Sequence, residues 1–138
     1  MKKLIIVLAL FVLQGCAIID SYNMAKFDNN EYYIINQIRT TTSLGEEHCG
    51  TKYAKPLVNS LWIKVNEFNN YSASIPNNEQ TIKMSEALKG IAKGLHVKYD
   101  VDPKVSKLYC TIKFDLLNKN AITIQNVVGG KPRWVLIK

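Results

Sequence analysis

Apolar residues recur at helical spacing through three successive stretches of this 138-residue chain, and that recurrence limits its fold more than any other feature. Met24, Phe27, Ile34, Ile35 and Ile38 fall on one face, flanked by Tyr32 and Tyr33. Asp20-Ser21 is a suitable start for this first helix and Leu44-Gly45 a suitable stop. A second helix is predicted over residues 52–73 from Ala54, Leu57, Leu61, Val65 and Phe68, with Trp62 beside them. Pro56 is compatible only with its first turn, where the missing N–H is not needed. Ile75-Pro76-Asn77-Asn78 breaks the pattern, and Asn77 with Gln80 has the spacing of a capping box. Thr81, Met84, Leu88, Ile91 and Leu95 then define a third helix. Ala87, Gly90 and Gly94 give it a small-residue face that would let a neighbour pack closely, although each glycine weakens the helix by about 1 kcal/mol.

Residues 102–130 satisfy two patterns. Asp102-Pro103 suits a helix start and Gly129-Gly130-Lys131-Pro132 a helix stop. Between them Val105, Tyr109, Ile112, Leu116, Thr123 and Val127 form a helical stripe. Leu108, Cys110, Ile112, Phe114 and Leu116 also alternate with polar or aromatic neighbours, as in a strand. Asn118-Lys119-Asn120 would then turn a hairpin into residues 122–128. The two folds in view are a four-helix up-down bundle, mainly α, and an α+β fold of three helices plus a C-terminal β-hairpin.

The N-terminus bears on this choice through the cysteines. Lys2 and Lys3 precede a ten-residue apolar run, Leu4 to Leu13, which is the length of a secretory signal core and about half a membrane span. Leu13-Gln14-Gly15-Cys16 resembles the lipobox of bacterial lipoproteins, with Gln14 where a small residue is usual. The resemblance implies cleavage of residues 1–15 before Cys16, then diacylglycerol and an N-acyl chain (palmitate) on Cys16. It implies no other cofactor. Two or three acyl chains hold a protein firmly, since one chain alone binds only marginally. Ala17 stands where an aspartate favours inner-membrane retention in enteric lipoproteins, so the resemblance implies the periplasmic face of the outer membrane.

Consuming Cys16 leaves Cys49 and Cys110 as a pair in an oxidising compartment, which reads as a disulfide. In an up-down bundle the starts of helices two and four lie at one end, where these cysteines can meet. The four-helix bundle is therefore the favoured fold. The expected organisation is a signal peptide (1–15), a lipidated tether (16–21), a helical domain (22–130) and a cationic-apolar tail (131–138).

Two local resemblances concern the last third. Cys110-Thr111-Ile112-Lys113-Phe114-Asp115-Leu116, with Gly129-Gly130 and Pro132, resembles part of the C-terminal domain of TolA, a periplasmic interaction module exploited by phage and colicin proteins. It covers under a quarter of the chain and implies the hairpin. Arg133-Trp134-Val135-Leu136 stands where that domain has its second cysteine. Leu108-Tyr109-Cys110, Asn118, Asn120 and Val127-Val128-Gly129 look like Spackle, a small helical phage protein that blocks the lysozyme of incoming phage.

Catalytic signals are weak. No Ser/His/Asp pattern, phosphate loop or nucleotide fingerprint occurs. Glu46-Glu47-His48-Cys49 offers acids, an imidazole and a thiol, but without CxxC or HExxH spacing they suit a helix cap better than a metal site or a nucleophile. His48 and His96 are the two histidines, and neither is expected to bind metal. The chain has 18 basic and 11 acidic residues, so losing Lys2 and Lys3 leaves a net charge of +5, spread along the sequence. An exported domain of that charge suits a membrane or an acidic partner, not nucleic acid. Arg133, Trp134 and Leu136, in a segment apolar within and cationic at its edges, are candidate partner-binding residues. The expected function is a non-enzymatic, membrane-anchored module that binds an envelope or phage protein. Alternatives are superinfection exclusion, inhibition of an envelope enzyme, and carriage of a small ligand in a groove near Trp62 and Phe68.

Overall fold

The computed structural model describes residues 24–102 and 104–133. Four antiparallel helices form an up-down-up-down bundle: α1 Asn29–Glu47, α2 Ala54–Ser74, α3 Glu79–Val101 and α4 Lys107–Gly129. Helix α1 packs on α2 and α4, and α3 packs on α2 and α4. Among the described residues there is no strand. The hairpin is not formed, and residues 108–116 are helical throughout.

The core is built largely from the expected faces. Ile34, Ile35 and Ile38 of α1, Ala54, Leu61, Val65 and Phe68 of α2, and Leu88 and Leu95 of α3 are buried together. Pro56 is the third residue of α2, as its missing N–H requires. Helix α4 turns a different side inward from the one its stripe suggested. Cys110, Phe114, Leu117, Ala121, Ile124 and Val128 are buried, whereas Ile112 and Leu116 are exposed. Apolar residues lie all round this helix, so spacing alone fits more than one face. The disulfide at Cys110 and the Phe114 ring select the inward one.

Three helix ends differ from the sequence reading. Residues 24–28 are not helical, and α1 starts only after Asp28, whose carboxylate accepts from the Glu31 N–H at 2.8 Å. Asn77 sits in the left-handed region (φ 58°), and the α3 cap is Asn78, whose side chain is drawn into the bundle instead of capping. The Asn77–Gln80 capping box is therefore absent. Helix α4 begins at Ser106, which accepts from the Tyr109 N–H, not at Asp102. Asp102 instead ends α3, pairing with Lys98 at 2.9 Å. The hydrogen bond from Lys98, helped by the Lys104 N–H, holds its carboxyl below the usual carboxylate range.

The glycines divide sharply. Helix α1 runs past Gly45, where a Cβ would stand 2.0 Å from the Phe114 ring. Gly45 is a point of close approach to α4, not a stop. Gly90 and Gly94 have open space around them, so among the described residues nothing packs against either glycine of this α3 face. Gly45→Ala is expected to cost on the order of 1–3 kcal/mol through overpacking. Gly90→Ala and Gly94→Ala should each stabilise by about 1 kcal/mol, because alanine loses less backbone entropy in a helix. Urea midpoints of the three variants check both signs.

Candidate interaction site

The two ends of the bundle are fastened by different chemistry. At one end, Cys49 just beyond α1 and Cys110 in the first turn of α4 form the expected disulfide, with a Cα–Cα distance of 5.6 Å. Cys49 is therefore committed to a covalent link and is not a free nucleophile. His48 caps α1 through Nδ1 and the Leu44 carbonyl at 2.9 Å. Among the described residues no cluster of His, Cys, Asp and Glu has the arrangement of a metal site.

The opposite end is held by buried polar groups. The Ala25 N–H donates to the Asn77 carbonyl at 3.0 Å, and the Phe27 N–H donates to the Pro132 carbonyl at 2.9 Å. These bonds tie the chain before α1 to the α2–α3 turn and to the segment after α4. Behind them lies an ion pair between Lys131 Nζ and the Glu31 carboxylate, with side chains 4% and 0% exposed. Asn78 joins it, donating to Glu31 Oε1 at 2.7 Å and to the Ser72 carbonyl at 2.9 Å, and accepting from Lys131 at 2.6 Å. Buried charges persist only when paired and hydrogen-bonded, and this triad meets both conditions. Tyr71 extends the network by donating to Asp28 at 3.0 Å.

Lys131, Pro132 and Arg133, read from sequence as the start of a tail, thus lie against the bundle. Arg133 sits over the Phe27 ring at 4.2 Å, a cation–π contact. Trp134 and Leu136 lie outside the described residues, as do Leu13, Gly15 and Cys16. The Glu31–Lys131 pairing had no signature in the sequence, because the two residues are 100 positions apart and belong to types that usually face water.

The outer surface of α3 and α4 carries a row of large apolar side chains in solvent. Leu108, Ile112 and Leu116 follow one another at i, i+4 and i+8 on α4, 71%, 55% and 39% exposed. Val97 and Val101 are exposed on α3, on the helix that also bears the open Gly90 and Gly94. Scattered exposed leucines are ordinary, but a row along one face is not. Trp62 and Phe68, near which the sequence reading places a ligand groove, have different surroundings. Phe68 is wholly inside the core, and the Trp62 ring stacks on His96 at 5.5 Å. His96 in turn faces Asp100 at 3.4 Å.

Comparison with known proteins found no matching family model, no similar curated protein and no similar solved structure. Among the described residues no helix is long and apolar enough to cross a membrane.

Proposed function

We propose that this chain is a lipoprotein of the bacterial envelope, cleaved before Cys16, acylated there and held at the periplasmic face of the outer membrane. Its folded domain is a non-enzymatic module that binds a protein partner, an envelope or phage protein with an apolar patch of its own. The observation that carries the binding role is the exposed row Leu108, Ile112 and Leu116 on α4. Large apolar side chains at that exposure lie outside the bundle core, and each gains further free energy when something covers its exposed part. The disulfide supports the compartment, because such bonds persist in oxidising surroundings.

The test is Ile112→Asp together with Leu108→Asp, in cells and in purified protein. Circular dichroism and the urea midpoint should be unchanged, since both side chains face solvent. Crosslinking from intact membranes should lose the partner band that the wild type gives. Retention of the same band by the double variant would remove the α4 face from the proposal.

A further inference from the structure

The exposed row on α4 has a charged border, and the border restricts what can cover it. Leu108, Ile112 and Leu116 project at intervals of four residues and form a ridge about 12 Å long. Ridges of this spacing seat in the groove between equivalent rows of another helix, with the axes crossing at about 50°. Lys107 stands one residue before Leu108 and Lys113 one residue after Ile112, which puts them about 100° to either side of the ridge. Lys104 is exposed just before the helix begins. The single carboxylate on α4, Asp115, is already held by Lys119 at 2.8 Å. Lys113 lies over the Tyr109 ring at 5.6 Å, and among the described residues neither it nor Lys107 pairs with a carboxylate. The ridge is therefore apolar along its crest and carries uncompensated positive charge on both flanks.

We infer that this α4 surface takes an amphipathic helix of a protein partner whose apolar stripe is bordered by glutamate or aspartate. The inference rests on the partner-binding reading of the face given above and specifies the partner's chemistry. Apolar residues at i, i+3 or i+4 and i+7 of the partner cover Leu108, Ile112 and Leu116. Acids on its flanks meet Lys107 and Lys113, which speeds the encounter and fixes the direction in which the helix lies. A second copy of this chain fits less well, because it sets the same lysines against each other and its α4 brings no free acid. A lipid surface also fits less well. The chain enters the fold at the C-terminal end of α4, where the Phe27 N–H bonds to Pro132. Leu108 is at the disulfide end of the same helix, about 30 Å away, so a tether before Met24 holds the end remote from the ridge.

The experiment places an aliphatic diazirine amino acid at position 112 of the full chain and irradiates intact cells. The expected adduct is with another protein. Its attached peptide, sequenced by mass spectrometry, is an amphipathic helical stretch with glutamate or aspartate beside the apolar positions. Lys107→Glu together with Lys113→Glu should cut the adduct yield about tenfold, the size expected when two border attractions become repulsions. Lys107→Gln with Lys113→Gln, which adds no repulsion, should lose less. Circular dichroism and the urea midpoint of both variants should match the wild type, since neither lysine belongs to the core. An adduct with a second copy, with a phospholipid, or with a segment that carries no acids overturns the inference, as does a yield indifferent to charge reversal. Absence of any adduct before the lysines are changed removes the α4 face itself as a binding surface, so that failure is distinguishable from a wrong partner chemistry.

Discussion

Lys131→Met is expected to destabilise the bundle by about 3–5 kcal/mol, because it leaves the Glu31 carboxylate buried without a counter-ion. Glu31 is fully covered and Lys131 is nearly so, so neither charge can turn to water without opening this end of the fold. The loss is not the worth of the pair, since replacing both members with neutral groups can leave stability almost unchanged. Glu31→Gln combined with Lys131→Met should therefore recover most of what the single variant loses. Glutamine keeps an acceptor for the Asn78 amide that now donates to Glu31. The comparison is made by urea melts of the two single variants and the double one. A Lys131→Met midpoint equal to that of the wild type would show that this end of the bundle is not held by the pair.

Removing the Cys49–Cys110 bridge is the second large effect. The bond closes a loop of 61 positions, and the chain-entropy relation assigns such a loop about 4 kcal/mol. Cys49→Ala/Cys110→Ala should show that loss against the oxidised wild type. Wild type melted in reductant should match the double variant. A reductant-insensitive midpoint would mean that the bridge does not constrain the unfolded chain. Because α1 and α4 are fastened covalently at one end and by Lys131–Glu31 at the other, the two losses are expected to add, the sites lying at opposite ends of the helices.

What the sequence could disclose follows from which interactions have a local signature. The helices of residues 54–74 and 79–101 were legible because Ala54, Leu61, Val65, Phe68, Leu88 and Leu95 repeat with the helical period and are buried in one core. The cysteine pair was legible because setting Cys16 aside for the lipid leaves two cysteines, and an up-down order puts positions 49 and 110 at the same end of the bundle. The inward face of α4 was not, since its apolar residues surround the helix. Choosing Phe114 over Ile112 for the core depends on the partner surface around Gly45. The cap of α3 was misplaced for a related reason. Asn78 is spent on Glu31 and Lys131, contacts 47 and 53 residues away that no capping pattern encodes. Those same long-range contacts built the polar end of the bundle, and the candidate surface on α4 became visible only once its core side was known.

The lipid anchor is tested most directly by the mass of the N-terminal peptide of the mature protein, isolated from membranes. The expected peptide begins at Cys16 and carries a diacylglyceryl group with an amide-linked acyl chain, and Cys16→Ser abolishes both cleavage and membrane retention. A peptide that begins at Met1, or one in which Cys16 bears a free thiol, would contradict the proposal.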